Sequence, residues 1–348
     1  MPEHNSPGRP LRGAVIGFGN VAMNAHVPLW QQNHHFNIEA VVEPSPERAA
    51  LVSRVLPGAT VYPDEKALLA NHELDFVDIC TPPCFHADQI IAACQAGVDV
   101  FCEKPLVTSS AGFRQVKQAA DASDRTVFTV NNWKYAPIFA KTVELTAAGC
   151  IGHVESVSLS VLRPPNAGGG ASDWRRQPEV AGGGILLDHG WHNLYLVLAI
   201  INQTPESVSA GMEFVETGGS SLEETVNLRL RFPTAEGQLH LTWRAASRRN
   251  FGQITGTQGT ISINDDHLVL SRHDAAPVRY DFLEALSHGS QHLEWMKPVI
   301  EGFWQEVCDA SVRGANLEEA KWCVHLTCLA YQSYKEGSRP IPITGQII

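Results

Sequence analysis

The stretch "RGAVIGFGNVA", residues 12–22, decides the fold of this chain. An apolar run leads directly into Gly17, Gly19 and Ala22, which are spaced as G-x-G-x-x-A. In a strand–turn–helix unit the first glycine permits a tight turn, the second lets the backbone approach a pyrophosphate, and a small third residue keeps the helix close to the sheet. The helix that begins near Asn20 would present its N–H groups and its positive dipole end to the phosphates. The spacing therefore predicts a dinucleotide-binding domain.

The second predicted strand ends in an acid at the distance that such a domain requires. Glu43 lies 24 residues after Gly19, close to the spacing of an acid that binds ribose hydroxyls. Its carboxylate would repel a 2′-phosphate, so the residue favours NAD over NADP as the cofactor. The alternative is a solvated acid at the end of a strand. Arg48 is near in sequence, but on the following helix.

The first third of the chain alternates short β-rich runs with helical patterns. Strands are predicted at 12–18, 36–43, 75–81, 98–105 and 125–132, and helices between them include 46–56, 84–97 and 111–123. Strands that alternate with helices of this length predict a parallel sheet with both faces covered. Pro28 is expected to end or kink the first helix.

After residue 133 the pattern changes to period two. Alternating runs at 152–163, 206–216, 223–232 and 237–246 follow one another with turns between them, which predicts an antiparallel sheet. Helices are predicted near 290–313 and 317–335, and a long Pro/Gly-rich loop at 163–184 is of the kind that is often functional. We therefore predict an α/β protein with a dinucleotide-binding domain at 1–132 and a substrate-binding and oligomerisation domain at 133–348.

Composition limits the function classes. The chain has 348 residues, 44% of them hydrophobic, and a net charge of -11, which argues against general binding to nucleic acid or to a membrane surface. No apolar run reaches the roughly 20 residues of a membrane span. The polar start "MPEHNSPGRPLRG" has no apolar signal core, so a short disordered lead-in and a cytoplasmic location are expected. Eight cysteines without zinc-like spacing predict reduced thiols and no metal site.

The stretch "GGGILLDHGWHNLYLVLAII", residues 182–201, combines apolar and ionisable residues in an unusual way. Its second half should be buried, yet its first half carries Asp188, His189 and His192, which are costly to bury without partners. Residues four apart share a helix face, so Asp188 and His192 can point at one site. Gly190 lets another segment or a ligand approach closely. The alternative is that His192 is a satisfied core histidine with Asp188 as its partner.

Four motifs in order give this sequence a family resemblance. The glycine-rich turn, "TPPCFH" (81–86), "CEKPL" (102–106) and "GGGILLDHGWH" (182–192) together resemble the Gfo/Idh/MocA family of sugar and cyclitol oxidoreductases. The resemblance covers nearly the whole chain, including "GTQGTISI" (256–263). It implies a Rossmann domain followed by an α/β domain with an open, mostly antiparallel sheet. In such proteins that sheet commonly packs against a partner subunit, so a homodimer or homotetramer is expected.

The resemblance also implies roles for individual residues. Glu103 and Lys104 match the E-K-P signature, in which the lysine would touch the nicotinamide ribose and the hydroxyl that is oxidised. Thr81 and Pro82 would lie along the cofactor. The segment "WKYAP" (133–137) stands where the family often has an arginine-containing R-x-x-P, so its substrate contacts are left open. The residues expected to bind substrate are Lys134, Arg175, Asp188, His189 and His192.

These observations predict a dehydrogenase that moves a hydride between NAD and a secondary alcohol of a sugar, cyclitol or sugar derivative. His192 would be the general base, Asp188 would orient the substrate or the histidine, and Lys104 would stabilise the developing alkoxide. The reverse assignment, with a neutral Lys104 as the base, stays open. Two other functions also stay open: an NAD-dependent glycoside hydrolase of the same family, and a catalytically silent sensor of sugar or NAD(H).

Overall fold

The computed structural model divides the chain into two compact units. The first consists of Met1–Val130 and Gln291–Ala320, and the second of Asn131–Ser290 and Lys321–Ile348. The residues that the structure describes are 9–165, 173–217, 220–289 and 291–344. The expected boundary between residues 132 and 133 lies two residues after the first of these divisions. The return of residues 291–320 to the first unit has no counterpart in the sequence pattern.

The strands of the described residues, in chain order, are β1 (Leu11–Ile16), β2 (Phe36–Val42), β3 (Thr60–Tyr62), β4 (Phe76–Ile79), β5 (Asp99–Cys102), β6 (Val127–Thr129), β7 (Val154–Leu162), β8 (Ser207–Thr217), β9 (Ser220–Arg231), β10 (Glu236–Thr242), β11 (Arg249–Gly256), β12 (Gly259–Asn264), β13 (His267–Arg272), β14 (Ala275–Asp281) and β15 (Ile341–Pro342). The α-helices are α1 (Val27–Gln32), α2 (Pro46–Val55), α3 (Glu65–Asn71), α4 (Pro83–Gln95), α5 (Ser110–Ser123), α6 (Pro137–Ala147), α7 (Pro178–Ala181), α8 (Trp191–Ile201), α9 (Leu293–Cys308) and α10 (Ala315–Lys335).

The first unit has a parallel six-stranded sheet in the order β3-β2-β1-β4-β5-β6. This is the classic strand order of a dinucleotide-binding fold, in which ligands bind at the carboxyl ends of the strands. Every residue of β4 and β5 is buried, as expected of central parallel strands. The parallel sheet predicted from the alternating pattern is thus confirmed, whereas the short β3 and α3 had not been predicted.

An aromatic cluster explains why α9 belongs to the first unit. The ring of Phe303, on α9, lies 5.3 Å from that of Phe101 and 5.7 Å from that of Phe76. Trp30, on α1, lies 5.0 Å from Phe101 and 5.1 Å from Phe76. All four side chains are at most 1% exposed, so this cluster removes a large apolar area from water.

The helical run after β1 changes its winding at Pro28. The turn Ala22–His26 is π-helical, with the N–H of Val27 bonded to the carbonyl of Ala22, and α1 follows it directly. Pro28 therefore lies in the first turn of α1, where a missing N–H costs least. The proline does not end the helical run but marks the change from π to α winding.

The second unit has a nine-stranded sheet in the order β14-β13-β12-β11-β7-β10-β9-β8-β15. Its neighbours pair antiparallel except β7 and β10, so the mostly antiparallel sheet is confirmed. Buried and accessible residues alternate along β10 and β12, which shows that one face of the sheet is covered. Polar side chains line a groove on the sheet; they include Ser158, Ser209, Asn227, Arg229, Gln238 and His240.

Several sequence-based expectations concern the ends and loops of the chain. The lead-in lies largely outside the described residues, as does the middle of the Pro/Gly-rich loop. Among the described residues none of the eight cysteines forms a disulfide bond, and Cys80, Cys94, Cys102 and Cys323 are buried. Among the described residues, one stretch, Pro178–Ile201, is long and apolar enough to cross a bilayer, but 78% of its most apolar window is buried inside the fold. That burial is typical of a core helix.

Candidate active site

The glycine-rich turn forms an open cradle at the carboxyl end of β1. Gly17 has a φ of +92°, a conformation that suits glycine, and its N–H donates to the carbonyl of Val42 at 2.9 Å. A Cβ atom on Gly17 would lie 2.9 Å from the methyl group of Thr81, whereas a Cβ on Gly19 would meet nothing within 4 Å. Ala22 is fully buried. The turn is therefore closed on the protein side at Gly17 and open at Gly19, as a pyrophosphate-binding turn requires.

Glu43 lies just after β2 and is paired on both carboxylate oxygens. Its Oε2 accepts from the N–H of Phe18 in the glycine-rich turn at 3.0 Å, and its Oε1 accepts from the N–H of Ser45 at 2.8 Å. Arg48 donates to both oxygens at 3.0 Å. Burial alone would raise the pKa of Glu43, but the bonds from Arg48, Ser45 and Phe18 hold it below its usual value. Glu43 is therefore an anion beside the turn, and its half-exposed partner Arg48 reaches it from α2.

A buried histidine connects two further segments expected to bind the cofactor. The Nε2 of His86, on α4, lies 2.8 Å from the carbonyl of Thr81, and its Nδ1 lies 2.9 Å from the carbonyl of Pro105. The hydroxyl of Thr81 donates to Gln89 at 2.6 Å, and Pro82 precedes the first turn of α4. His86 thus ties the loop after β4 to the turn after β5.

The Glu103–Lys104 turn follows β5 directly. The backbone N–H of Lys104 donates to Oε2 of Glu103 at 2.9 Å, and the other carboxylate oxygen lies 3.0 Å from Nε2 of His26. Burial would raise the pKa of Glu103, but His26 and Lys104 hold it below its usual value. Lys104 is half-buried, and its peptide bond to Pro105 is cis. The carboxyl ends of β1, β2, β4 and β5 therefore bring all the predicted cofactor-binding segments to one edge of the sheet.

The second unit carries Asp188, His189 and His192 on the stretch Leu186–Ile201. Leu186–Gly190 is a π-helical turn that continues into α8. At its start, Glu223 of β9 accepts from the N–H groups of Gly184 at 2.8 Å and Leu186 at 3.2 Å, and from the hydroxyl of Tyr331 at 2.7 Å. Burial raises the pKa of Glu223 despite these bonds. A Cβ on Gly184 would lie 2.2 Å from the carbonyl of Glu223, so this glycine is needed for close approach.

His192 is buried, with one ring nitrogen against a phenol. Its Nδ1 lies 2.9 Å from the hydroxyl of Tyr195, which also accepts from the N–H of Trp133 at 3.0 Å. The His192 ring stacks on Trp133 with 5.1 Å between centroids and an interplanar angle of 9°. These contacts fix the plane of the imidazole and hold its Nδ1 side.

Asp188 and His189 lie together on the π-turn. The Nε2 of His189 is 3.5 Å from a carboxylate oxygen of Asp188, and both side chains are partly exposed. A π-turn changes the angular spacing of the residues that it carries, and the direct contact between Asp188 and His192 stays a prediction. A Cβ on Gly190 would lie 3.1 Å from the side chain of Leu241 on β10. The expected close approach of another segment at Gly190 is therefore confirmed.

The remaining substrate candidates lie on two short 3₁₀ turns. Lys134, on Asn132–Tyr135, has its Nζ 5.4 Å from the ring centre of Tyr135. Arg175 stacks on Trp174 at 4.5 Å and pairs with Asp173 at 3.3 Å. Arg175 is 43% exposed, so its guanidinium remains accessible to an anionic or hydroxylated ligand.

Sequence reasoning missed the residues that support the site. Tyr195 could have been found from its i, i+3 spacing to His192. Glu223 gave no local signal, because its partners are 37 to 108 residues away in the chain. Asp78 and His26 were hidden within apolar segments. Among the described residues, His26, Asp78 and Cys80 also form the one group whose donor atoms, all within 4.8 Å of one another, could hold a metal ion.

A parallel sheet with this strand order and a glycine-rich turn after β1 define a dinucleotide-binding protein. Comparison with known proteins identifies its family. The chain belongs to the Gfo/Idh/MocA family: residues 11–131 match the model described as "Oxidoreductase family, NAD-binding Rossmann fold", and residues 139–262 match the GFO/IDH/MocA C-terminal domain. The resemblance seen in the sequence is confirmed.

Several relatives are named for reactions on sugars or sugar nucleotides. A dTDP-3,4-didehydro-2,6-dideoxy-alpha-D-glucose 3-reductase from Actinomadura kijaniata is 27% identical over 84% of this chain and 92% of its own length. An NADP-dependent D-xylose 1-dehydrogenase from Haloferax volcanii is 31% identical over 49% of this chain and 52% of its own length. Other relatives align over 50% to 64% of their length.

The fold is also found in solved structures. That of GenD2 from gentamicin A biosynthesis, in complex with NAD, superposes with a TM-score of 0.82 at 23% identity and covers 99% of each chain. The family and its relatives identify the chain as an NAD(P)-dependent oxidoreductase.

Proposed function

We propose that this chain is an NAD-dependent dehydrogenase that oxidises a secondary alcohol of a sugar, cyclitol or sugar derivative, or reduces the matching ketone. One observation carries the proposal: the glycine-rich turn, Glu43, Thr81 and the Glu103–Lys104 turn converge at the carboxyl edge of one parallel sheet. This is the edge where such sheets bind dinucleotides, and Lys104 at this edge would supply the cation that the chemistry needs.

The residues at this edge fit a dinucleotide. An added Cβ at Gly19 would meet nothing within 4 Å, so the backbone is open to a pyrophosphate there. Gly17, Gly19 and Asn20 would hold the phosphates, with Ala22 keeping the helix against the sheet, and Thr81, Pro82 and Glu103 would line the remaining length of the cofactor. When bound, NAD supplies the hydride acceptor.

NAD rather than NADP is favoured by the anionic carboxylate of Glu43. That carboxylate can accept bonds from ribose hydroxyls and repels a 2′-phosphate. Its four acceptor positions are occupied by Phe18, Ser45 and the two bonds from Arg48, so ribose binding requires Arg48 to move aside. NADP is the second candidate, because the same half-exposed guanidinium could pair with a 2′-phosphate.

The proton of the alcohol would be taken by His192. For Nε2 to accept a proton, Nδ1 must carry its own hydrogen and donate to the Tyr195 oxygen, which lies at 2.9 Å. In the reverse direction the imidazolium returns the proton from Nε2. Lys104, as a cation, would stabilise the alkoxide oxygen, and Asp188 with His189 would orient the hydroxyls of the substrate. A neutral Lys104 as the base remains the competing assignment.

The class of substrate rests on the family and on the polar side chains of the second unit. Lys134, Arg175 and His189 can donate to hydroxyl groups, and Trp174 offers a ring face. This set suits a neutral or weakly acidic polyol. A panel of sugars, cyclitols and sugar acids, each with NAD and with NADP, tests the proposal through the absorbance of the reduced cofactor. Turnover of none of them, or release of an aglycone without net cofactor reduction, would contradict the dehydrogenase proposal.

We further propose that the second unit mediates assembly into a homodimer or homotetramer through its sheet. The groove on that sheet is lined by polar groups that can pair across an interface, among them His240, which lies 2.8 Å from Asn227, and Arg229. Light scattering after size exclusion tests this proposal. A monomeric mass across the working concentration range would overturn it.

A further inference from the structure

Beneath the Glu103–Lys104 turn lies a buried polar cluster that the proposed chemistry does not use. Nδ1 of His26 is 3.0 Å from each carboxylate oxygen of Asp78, and its Nε2 is 3.0 Å from Glu103. The indole N–H of Trp30 donates to Asp78 at 2.7 Å, and the thiol of Cys80 lies 3.3 Å from Nδ1 of His26. His26 and Asp78 are fully buried.

The geometry decides the charge of the histidine. Each ring nitrogen of His26 faces a carboxylate, and a carboxylate only accepts, so both nitrogens must carry a proton. Two carboxylates this close to each other, that of Asp78 fully buried and that of Glu103 15% exposed, would also be destabilising without a cation between them. Burial by itself lowers the pKa of His26, but Asp78 and the other groups around it raise that pKa well above its ordinary value. The contacts and the direction of this pKa shift together assign His26 as an imidazolium.

The same donors do not make a convincing metal centre. Only three ligands, His26, Asp78 and Cys80, converge within the part of the chain that the structure describes. A structural zinc site takes four ligands, and a catalytic one with three keeps an open position for water. Because His26 and Asp78 are 0% exposed, the cluster matches neither pattern.

We propose that His26 is a positioning residue: it ties Glu103 to Asp78 and so fixes the Glu103–Lys104 peptide and the ammonium group that this peptide carries. The contacts form one chain, from Asp78 on β4 through His26 to the carboxylate of Glu103, which accepts from the N–H of Lys104 at 2.9 Å. This inference rests on the role that the proposed function gives to Lys104.

Replacing His26 by glutamine removes the cation that keeps the two carboxylates together. Glu103 would then turn away from Asp78 or take up a proton, and the lysine turn would lose its support. A displacement of about 1 Å at a reacting group can cost about 100-fold in rate. We expect kcat to fall roughly 10- to 100-fold in His26→Gln, with the dissociation constant of NAD changed by less than about threefold.

The first measurement is made on the wild-type enzyme and does not need a substrate. Long-range proton–nitrogen spectra of ¹⁵N-histidine-labelled enzyme, with the His26 signals assigned from the His26→Gln variant or from His26→Asn, should show both ring nitrogens protonated between pH 6 and 9. A His26 that titrates in this range would overturn the proposal. One equivalent of a transition metal in the purified enzyme, lost when His26 is replaced, would overturn it as well.

The second measurement separates positioning from loss of structure. Cys80→Ala is the matched control, because Cys80 touches the same histidine and Asp78 but makes no described hydrogen bond with Glu103. It should leave kcat within about twofold, whereas His26→Gln lowers kcat and spares NAD affinity. Equal losses in both variants, or an NAD dissociation constant that rises as much as kcat falls, would overturn positioning.

A third measurement keeps the inference distinguishable from the proposed function. In the ¹³C spectrum of reductively methylated lysines, the resonance of Lys104, assigned from Lys104→Arg, should shift in His26→Gln and stay in place in Cys80→Ala. This result can be obtained even if no polyol is oxidised. A Lys104 resonance that does not shift in His26→Gln would overturn the positioning role of His26 without contradicting the proposed dehydrogenase function.

Discussion

Two buried histidines, one in each unit, lie on helices that begin in the same way. His26 ends the π-turn Ala22–His26, and His192 follows the π-turn Leu186–Gly190 by two residues. His26 has a carboxylate at each ring nitrogen, at 3.0 Å. The contacts described for His192 are a phenol at 2.9 Å and the stacked face of Trp133. We propose that these partners, rather than the burial or the helix type, separate a histidine that keeps its proton from one that can exchange it.

This difference supports the proposal that His192, rather than His26, serves as the base. An imidazolium between two anions has no free lone pair at neutral pH, so His26 contributes only charge and position. A histidine against a neutral hydroxyl can be neutral and accept a proton at its other nitrogen. π-Turns are common at functional sites because they interrupt the regular bonding of a helix. In this chain the first π-turn carries His26 and the second precedes His192. The ring of each histidine is held by residues that lie outside the π-turn.

The largest expected effect tests whether the unit that holds His26 contributes charge to the reaction. Lys104→Ala should lower kcat by roughly 10² to 10⁴, the range for a positioned acid–base or electrostatic group, and leave NAD binding nearly intact. Steady-state kinetics and cofactor titration measure both. Lys117→Ala, which removes an exposed lysine paired with Asp121 in the same unit, is the control and should keep full activity.

If the Lys104→Ala enzyme folds and turns over at the wild-type rate, the role assigned to the lysine turn is wrong. A loss of NAD affinity as large as the loss of rate would make Lys104 chiefly a cofactor ligand.

The next largest effect tests whether His192 is the base. His192→Asn should lower kcat by roughly 10²-fold or more, because asparagine cannot accept the proton. The wild-type rate of alcohol oxidation should fall on the acid side, where His192 becomes protonated, and this acid limb should disappear in the variant. The pH–rate profile and melting temperature are measured on one preparation, with His267→Asn in the same unit as the control.

An acid limb that survives unchanged in His192→Asn would move the base elsewhere, with Lys104 as the leading candidate. A variant that melts earlier but turns over normally would make His192 a core histidine, like His26 without the charge.

The sequence predicted more of the sheet than of the site. The period-two and strand–helix patterns are local, so β1, β2, β4 and β5 could be placed within a few residues. Glu43 and Lys104 could be found because they follow those strands directly. The residues that hold each site residue in place could not be found from the sequence. His26 contacts Glu103 across 77 positions of the chain, and Glu223 contacts Gly184 across 39. Such contacts depend on strand order and register.

A smaller effect concerns an ion pair that, unlike the His26 cluster, can change partners. Glu43→Ala should shift cofactor preference toward NADP by about tenfold, because a carboxylate and a phosphate about 4 Å apart repel by roughly 4 kcal/mol before screening by solvent. Arg48→Ala should shift preference the opposite way, because it frees two acceptor positions of Glu43 and removes a cation. Titration of both cofactors against the two variants measures this. Equal preferences in wild type and both variants would show that the pair does not lie at the ribose.

The smallest effect tests the permanent charge of His26 through stability. The titratable groups that face His26 are Asp78 on β4, Cys80 just after β4, and Glu103 after β5. Because the folded pKa of His26 is raised well above its ordinary value of about 6.5, its stabilisation is fully present below pH 6.5. Above pH 6.5 the unfolded chain loses that proton and the folded chain keeps it, so the stabilisation falls by up to about 1.4 kcal/mol per pH unit until the folded pKa is reached.

The difference in melting temperature between wild type and His26→Gln should therefore shrink by a few degrees from pH 6.5 to 8.5. Groups with shifted pKa values that do not contact His26, such as Asp99 at about 6, are present in both proteins and cancel in the difference. A difference that stays constant over this range would mean that His26 loses its proton in the folded protein as readily as in the unfolded chain, and the contrast with His192 would collapse.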